Sequence, residues 1–541
     1  MKSVEEADYV IVGGGSAGGV LAGRLSQDPA CRVALIEAGG SDRTRLCTVP
    51  GMVSIIHTTP KVKKRFDWGF YTAPQPHGAG RRIPYVRGRV VGGSSAINGM
   101  VYVRGHRQNY DDWEAEGCTG WGAADATRCY KQLEDWEGGE DAYRGAGGPI
   151  AVTRSRDLVP ATQALVEAIA ETCGVPVVDD YNGADQEGVG ACQMNARGGR
   201  RYSSSEAFVQ PALARPNFHL ISGAAAARVV IEGGRAVGVE LIDGDRRRIV
   251  RAAREVILCA GVIGSAHLLM LSGVGPAAHL RDHGIAAIAD LPVGQNLHDH
   301  LFVPMTFLAP TARHRGTALH FLGGMVKEAM HKGDTWFSRT VFDALGFVRS
   351  SQAERGVPDI QLHCLPWSYP SPNQDRPVRP VVDKRPALTV MPTLIYPKSR
   401  GEVTLTSADP TAAPHIDPHF LEEEADRRLL IEGMKLVREI MASPRLGDIV
   451  QGELHPGPAF TSDAELAAEL PNRIHTVYHP VGTCRMGVDD RAVVDPQLRV
   501  RGVDGLRVAD ASIMPRVIGG NTNAPSMMIG ERCAELIAAA H

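Results

Sequence analysis

The sequence predicts a mixed α/β protein, α+β overall, that combines a Rossmann-like nucleotide-binding domain with a discontinuous antiparallel-sheet domain. Residues 8–40 follow the order strand, glycine turn, helix and strand of a dinucleotide-binding unit. Residues 499–541 return to that pattern, whereas residues 305–475 are rich in proline and alternate strand-like runs with one strong helical signal. We therefore expect the first domain to comprise residues 1–155, 205–305 and 495–541, and the second to comprise residues 156–204 and 306–494.

The amino-terminal unit contains each part that a bound dinucleotide requires. Gly13 permits the tight turn after the first strand, Gly15 lets the backbone approach a pyrophosphate, and Gly18 lets the helix pack close to the strand. The free N–H groups and positive end of that helix attract phosphates. Glu37 ends the second strand, at about the expected interval of ~20 residues, and can accept hydrogen bonds from ribose hydroxyls. A free 2′-hydroxyl, as in NAD or FAD, is therefore favoured over a 2′-phosphate.

Bulk composition excludes several classes of function. The formal net charge of the 541-residue chain is −3, which leaves no basic footprint for nucleic acid. The ten cysteines form no CxxC pair, so we expect no zinc site, no disulfide scaffold and no other metal, and a reducing, cytoplasmic location. Residues 1–8 are polar and acidic, unlike a signal peptide, and no apolar run reaches the roughly 18 residues that span a bilayer.

A second glycine-rich stretch covers residues 88–111. Gly92-Gly93 and the two serines that follow could wrap backbone donors around phosphate or flavin atoms, and Asn98 offers a donor and an acceptor to a flavin edge. From spacing alone, an ordinary glycine-rich turn explains this stretch equally well. Residues 61–65 form a basic cluster that we interpret as a solvated loop, with a lid or an anionic contact as the alternative.

Elsewhere the pattern predicts helices at Ala161–Thr172, at about 421–441 and from about Pro525. Residues 217–242 are expected to form a small antiparallel ribbon beside the nucleotide domain. The remaining strand predictions are Phe218–Ile221, Ala227–Ile231, Val237–Ile242, Val256–Cys259, Asp359–His363, Leu388–Met391 and Glu402–Leu405.

Two late loops carry the candidate chemistry, because catalytic residues tend to lie in loops. His479 lies in residues 478–487 and would be a neutral base near pH 7. Asn523 lies in residues 519–526 and can only hydrogen-bond. Such a pair beside a flavin suits removal of the proton of an alcohol while its carbinol hydride goes to the ring. Without further information, a lone histidine before a proline is more often structural.

These segments together resemble the glucose–methanol–choline (GMC) flavoprotein oxidoreductases over essentially the whole chain. The 44 positions between His479 and Asn523 match the interval of the family's His–Asn pair. The segments that carry the resemblance, in the family's order, are GGGSAG with Glu37, GRVVGGSSAIN (88–98) with Tyr102, Arg104 and Gly105, Leu268-Leu269 to SGVG (272–275), HPVGTCRMG (479–487) and NTNAPS (521–526).

The resemblance implies bound FAD, with His479 as base or hydrogen-bond partner of the substrate hydroxyl and Asn523 holding the same oxygen. The domain described first would then be the FAD-binding domain and the second the substrate-binding domain. Relatives with covalent FAD carry a histidine where this chain has Ile97, so we expect non-covalent FAD. The implied cofactor-binding residues are Gly13, Gly15, Ser16, Ala17, Gly18, Glu37, Ala38, Arg89, Val91, Gly92, Ser95, Asn98, Gly99, Met100, Val101, Val229, Asp510, Ala511, Asn521 and Asn523.

The implied reaction is oxidation of a primary alcohol, aliphatic or aryl, to the aldehyde, and the implied substrate pocket includes Met100, His363, Trp367 and Tyr478. A buried core role for His363 is equally consistent with its sequence position. Choline is an alternative substrate, although a carboxylate for its quaternary ammonium is not evident. A hydroxynitrile lyase that uses the histidine and, less well supported, a photodecarboxylase are alternatives of other classes. The sequence does not decide whether the electron acceptor is O2 or a quinone or dye. It also does not decide whether the protein is a monomer or a homodimer.

Overall fold

The computed structural model describes residues 5–244, 246–312, 317–331, 333, 335–369 and 385–540. A seven-stranded sheet forms the core of the nucleotide-binding part. The first strand lies at its centre, in parallel with strands on both sides, because its apolar residues are buried on both faces. In spatial order the strands are Phe218–Ser222, Val33–Glu37, Glu6–Val12, Arg246–Leu258, Arg235–Asp243 and Ala225–Glu232, and Leu506–Val508 pairs in parallel with Arg246–Leu258.

The predicted ribbon of residues 217–242 is wrong in one strand. Phe218–Ser222 runs parallel to Val33–Glu37 inside the main sheet, and only Ala225–Glu232 and Arg235–Asp243 are antiparallel neighbours. The hydrophobic pattern marks a strand but not its direction, which depends on the crossover that precedes it. The parallel arrangement is secured where Val33 N donates to Asn217 O at 2.8 Å.

The second part of the fold is built on an antiparallel sheet of eight strands, as the sequence predicted for residues 305–475. Gly188–Ala191 joins its edge from the earlier part of the chain, so this layer is discontinuous in sequence. The exact domain boundaries stay a prediction, and prolines 370, 372, 377 and 380 lie outside the described residues. In spatial order the strands are Gly452–His455, Met305–Leu308, Ala387–Leu394, Ile360–Leu365, Ala344–Val348 and Gly188–Ala191, and Leu301–Phe302 pairs with Ala387–Leu394 and with His475–Thr476.

Small ribbons and helices complete the fold. The basic cluster at 61–65, predicted as a loop, lies in a helix that proline starts at its first position. The ribbons are Phe70–Tyr71 with Pro84–Tyr85, Ala196–Arg197 with Arg200–Arg201, Glu402–Thr404 with His415–Asp417, and Glu134–Trp136, Ile150–Arg154 and Gln193–Met194 together. The described α-helices are Ser16–Leu25, Arg45–Thr48, Val53–Thr58, Pro60–Phe66, Arg107–Ala115, Ala123–Leu133, Pro160–Cys173, Gln210–Ala212, Gly261–Leu271, Ala277–Asp282, Ala318–Met330, Glu424–Met441, Asp463–Arg473 and Asn523–Ala538.

The first and last long helices pack closely against each other. A Cβ on Gly530 would lie 2.4 Å from the carbonyl oxygen of Ala17, so glycine is required at this crossing. The contact brings the start of the last helix beside the start of the first, although they are separated by almost the whole chain. No helix among the described residues is long and apolar enough to cross a membrane.

Candidate active site

The first glycine loop has the close approaches that its sequence predicts. Gly13 has φ +104°, and a Cβ there would lie 2.3 Å from the carbonyl oxygen of Cys259. A Cβ on Gly18 would lie 2.0 Å from the carbonyl oxygen of Gly13. A side chain at Gly13 would therefore push the loop away from Cys259, and one at Gly18 would separate the first helix from the end of the first strand.

Two helix amino termini converge beyond this loop. Ser16 begins the first helix and Asn523 begins the last, and Ser16 Oγ donates to Asn523 Oδ1 at 2.8 Å. Neither helix start has a side-chain cap from its preceding residue, so unpaired N–H groups and two positive dipole ends are available for an anion. Ala17 lies in the first turn of the first helix. This arrangement fits a pyrophosphate.

Glu37 lies at the carboxyl end of its strand, with its side chain directed back to the glycine loop. Its carboxylate accepts hydrogen bonds from Gly14 N at 2.9 Å and Gly39 N at 2.7 Å. Burial raises the pKa of this carboxyl to about 7, against the opposing effect of the two backbone donors. A buried carboxylate with two fixed partners retains lone pairs for ribose hydroxyls, and Ala38 continues the same loop.

The second glycine stretch packs directly against the first. Gly92 N donates to Gly14 O at 2.7 Å, and Val91 N donates to Gly40 O at 2.9 Å. Gly93 has φ +53°, and a Cβ there would lie 2.6 Å from the Cα of Gly15. The two loops thus form one cradle of backbone and glycine, which fits a long two-ended cofactor better than an isolated turn does.

Arg201 supports the far end of this cradle and was missed by the sequence analysis. Its guanidinium donates to Cys47 O, Ser95 O and both oxygens of Asn98 at 2.7–3.1 Å. Burial lowers the pKa of Arg201 to about 10. Asn98 Oδ1 also accepts from Met100 N, so its amide nitrogen is the group left for a flavin edge.

The other predicted cofactor-binding residues differ in which of their polar groups are free to contact a cofactor. The Val229 N–H donates to Ser272 Oγ, which leaves only its carbonyl for adenine. Asp510, whose pKa is raised by burial, accepts from Ser265 Oγ and from two backbone N–H groups, so its carboxylate orders loops. Of the remaining members, Arg89 lies over the Trp68 ring at 5.2 Å, and the carbonyl of Gly99 accepts from Thr340. Val101 is buried, and Ala511 starts a short helix.

His479 is the centre of a cluster of buried polar side chains. Its backbone N–H donates to Asp299 Oδ1 at 2.8 Å. Its Nδ1 lies 3.1 Å from Nδ1 of His300, and its Nε2 lies 3.2 Å from Nδ2 of Asn521. The imidazole is therefore held at both nitrogens and on its backbone, and it is only 9 % exposed.

The hydrogen-bond network indicates which nitrogen of His479 carries the proton. Gln361 Nε2 donates to Asn521 Oδ1 at 3.1 Å, so the amide nitrogen of Asn521 points to His479. Nε2 of His479 then accepts, and the proton lies on Nδ1, which faces His300. The unprotonated nitrogen is the one at the site, as a general base requires.

The matched interval of 44 positions led us to expect Asn523 beside His479. The structure does not place it there. Asn521 occupies that position, while the Asn523 amide contacts Ser16 and Asn195. The reason is that the last helix begins at Asn523, so the residue two positions earlier lies in the loop that reaches the imidazole. The helix-start pattern around Pro525 is the sequence signal that could have separated the two asparagines.

One face of the antiparallel sheet completes the site. His363 pairs across the sheet with Met391, and Gln361 pairs with Thr393, so these side chains share a face. His363 Nδ1 lies 3.1 Å from Thr393 Oγ1. Nε2 of His363 and Oε1 of Gln361 are buried and without a hydrogen-bond partner among the described residues, as are two further atoms, Nε2 of His300 and Nδ2 of Asn195. Such atoms are available to a polar group of a ligand or to a water molecule.

The same face becomes apolar away from His479. We call this region the apolar cluster, and its members are Phe302, Leu365, Met391, Phe342, Trp367, Tyr369 and Val477. None of the seven side chains carries a charge. The structure therefore brings the predicted pocket residues His363 and Trp367 to one face, while Met100 and Tyr478 pack in two other clusters.

Burial keeps the histidines of the site neutral. It lowers the pKa of His479 well below 6.5, with further lowering from His300, His363 and Arg87. Burial also lowers the pKa of His300 and of His363 to about 3. A neutral imidazole beside the Asn521 amide and an apolar surface can take a proton from a hydroxyl group.

Comparisons with known proteins identify the family of this chain. The family model described as GMC oxidoreductase matches its amino-terminal part at residues 7–302 and its carboxyl-terminal part at residues 397–530. An alcohol dehydrogenase [acceptor] from Pseudomonas putida and an oxygen-dependent choline dehydrogenase from Sinorhizobium medicae (strain WSM419) are each 42 % identical, covering 98 % of this chain and 95 % of theirs.

Solved structures show the same architecture along the whole chain. Pyridoxine 4-oxidase from Mesorbium loti has a TM-score of 0.88 at 31 % identity, covering 99 % of this chain and 100 % of that one. Formate oxidase from Aspergillus oryzae RIB40, in a structure concerned with FAD modification, has a TM-score of 0.90 at 27 % identity, covering 99 % of each chain. The chain therefore belongs to the GMC oxidoreductase family.

Proposed function

We propose that the protein oxidises uncharged primary alcohols, aliphatic or aryl, to aldehydes with FAD. The observation that carries the proposal is the position of Nε2 of His479, which lies 3.2 Å from the Asn521 amide nitrogen at the polar end of the apolar cluster. The activities for which the relatives are named, alcohol dehydrogenase [acceptor] and choline dehydrogenase, support oxidation of a carbinol.

The residues present fit FAD. The convergent helix starts at Ser16 and Asn523 would hold the pyrophosphate, Glu37 the ribose, and the Gly92–Met100 stretch the flavin side. FAD, when bound, supplies the acceptor for the hydride of the carbinol carbon. We propose that it is not covalently attached, because Ile97 is a buried member of an apolar group and offers no nucleophile. The ten free cysteines support a reducing, cytoplasmic location.

The side chains divide the work at the substrate oxygen. His479 Nε2 removes the hydroxyl proton, and the Asn521 amide donates to the oxygen as it becomes negative. Gln361 fixes the direction of that amide. Neutral His300 behind the ring keeps the proton on Nδ1, so the accepting nitrogen stays at the substrate side.

The apolar cluster favours an uncharged alkyl or aryl group on the substrate. Apolar lining stabilises such a group by about 25 cal/mol for each Å² removed from water. Choline is the second candidate, because the aromatic rings of Phe302, Trp367 and Tyr369 could face a quaternary ammonium. A panel with benzyl alcohol, 1-octanol and choline separates the two, and we expect the first two to reduce the flavin at least tenfold faster.

The test of the mechanism is anaerobic mixing of FAD-loaded enzyme with an alcohol, observed as bleaching of the flavin absorbance. His479→Ala should lower the rate by about 10²–10⁴-fold. Asn521→Ala should lower it by about 10²-fold through loss of the donor to the oxyanion. Asn523→Ala is the matched variant: it should mainly weaken FAD binding and cost at least tenfold less in rate than Asn521→Ala.

Two results would count against these assignments. A large rate loss in Asn523→Ala with a small one in Asn521→Ala would restore the assignment that the sequence interval favoured. Absence of bleaching with every alcohol, together with release of cyanide from a hydroxynitrile, would replace oxidation by the lyase reaction. Repeating the mixing with O2, a quinone and a dye identifies the electron acceptor.

A further inference from the structure

The helix Ala318–Met330 presents an apolar stripe to the solvent. The large hydrophobic side chains of Leu319, Leu322, Val326 and Met330 are 82 %, 56 %, 49 % and 66 % exposed. Their spacing of three, four and four residues places them on one face of the helix. An ordinary surface helix turns such a stripe towards the core, so this helix has its amphipathic pattern reversed.

The charged side chains of the same helix also distinguish its outward face, because the acid is buried and the lysine is exposed. Its one acidic residue, Glu328, is buried and accepts from Thr335 Oγ1 at 2.8 Å and from Ser338 Oγ. Lys327 remains exposed beside the apolar stripe. The outward face therefore combines apolar side chains with a positive charge and has no exposed acid within the helix.

A second cationic helix is linked to this one through packing. Phe337 follows the apolar helix and rests on Gly51, where a Cβ would lie 2.6 Å from the ring. From Gly51 the chain passes through the short helix Val53–Thr58 into the helix Pro60–Phe66, on which Lys61, Lys64 and Arg65 are exposed. This is the basic cluster for which the sequence left an anionic contact as an alternative.

The inner side of the apolar helix leads to the proposed substrate pocket. His320 stacks on Trp336 with ring centroids 5.0 Å apart, and Trp336 contacts Trp367 at 5.8 Å. Trp367 belongs to the apolar cluster beside His479. The stripe thus lies on the outer surface above the aromatic side of the site.

We propose that this face, the apolar stripe with Lys327 and the basic helix, docks the enzyme on an anionic lipid bilayer. Apolar side chains enter the boundary between headgroups and acyl chains, and the cations are attracted to anionic lipids. Docking places the aromatic side of the site next to the phase into which long-chain and aryl alcohols partition, a consequence that rests on the proposed function. A neutral surface or a second copy of the chain would not require the exposed cations.

The test is co-sedimentation of the FAD-loaded enzyme with vesicles of phosphatidylglycerol and phosphatidylcholine, or of phosphatidylcholine alone. We expect at least tenfold stronger partitioning to the anionic vesicles, and weakening in high salt. Val326→Glu should reduce that partitioning at least tenfold. Val177→Glu is the matched control, because Val177 is 58 % exposed and lies outside the stripe, where it bridges Val189 in the edge strand Gly188–Ala191.

Lys61→Glu combined with Lys64→Glu should reduce partitioning to the anionic vesicles and leave the weak binding to neutral vesicles unchanged. The proposal is overturned if wild type does not sediment with anionic vesicles, if neutral vesicles bind it equally, or if Val177→Glu loses as much as Val326→Glu. It is also overturned if size-exclusion chromatography shows that Val326→Glu converts a dimer to a monomer while partitioning to anionic vesicles is unchanged. Anaerobic flavin bleaching by a water-miscible alcohol is measured separately, so loss of docking and failure of the proposed reaction are distinguishable.

Discussion

Gly93→Ala tests the cradle formed by the two glycine stretches, and Gly198→Ala is its matched control. Both glycines have φ +53°, so alanine brings the same backbone strain of about 1 kcal/mol to each. A Cβ on Gly198 has no neighbour within 4 Å, whereas a Cβ on Gly93 would lie 2.6 Å from the Cα of Gly15. The difference between the variants therefore isolates the contact between the loops.

The magnitude follows from that distance. An ordinary contact needs 3.4 Å, so the loops must separate by about 0.8 Å. The bond from Gly92 N to Gly14 O, 2.7 Å long, would then stretch to about the limit of a hydrogen bond, at a cost of about 1 kcal/mol. Overpacking adds about 1–3 kcal/mol. These costs together are about 2–4 kcal/mol, and shifts of the two loops relieve part of them. We expect about 1.4–2.8 kcal/mol to remain as a loss in FAD binding, which corresponds to a 10–100-fold higher dissociation constant.

The assay is titration of the deflavinated protein with FAD, observed as quenching of flavin fluorescence and paired with thermal unfolding. We expect Gly198→Ala to bind FAD within about twofold of wild type and Gly93→Ala to bind 10–100-fold more weakly. Equal affinities in the two variants would refute the reasoning, because the loops would then not form the cofactor cradle.

Three further predictions concern the protonation of His479, the attachment of FAD and the structural role of Arg201. Because burial lowers the pKa of His479 well below 6.5, its base form persists as the pH falls, and the anaerobic bleaching rate should stay flat from about pH 8 to about pH 6; an acid limb near pH 7 would contradict this. Acid precipitation should release all FAD into the supernatant, because Ile97 offers no attachment; yellow pellet protein would show a covalent link. Arg201→Met should lower the free energy of unfolding by at least about 2 kcal/mol, since it leaves buried oxygens of Cys47, Ser95 and Asn98 unpaired, and chemical denaturation measures this; unchanged stability would show that the guanidinium bonds contribute little.

Local chemistry explains why much of the fold was predictable. The helices Pro160–Cys173 and Glu424–Met441 fall within a few residues of the predicted ranges, because their apolar periodicity is long. The glycine loop and Glu37 were predictable for a related reason, since only glycine tolerates φ +104° at Gly13. Backbone conformation and apolar periodicity depend mainly on residues that are close together in the sequence, so they can be predicted from it.

The sequence by itself determined the strand–glycine–helix unit, the two layers of sheet and His479 as the candidate base. Only the tertiary structure decided that Asn521 and not Asn523 contacts the imidazole, that Phe218–Ser222 runs parallel, and that the Ala318–Met330 stripe faces outward. These features depend on which side of an element meets a partner distant in the chain. Periodicity marks the apolar side of a helix or strand, but the direction in which that side points is set by the packing of the whole molecule.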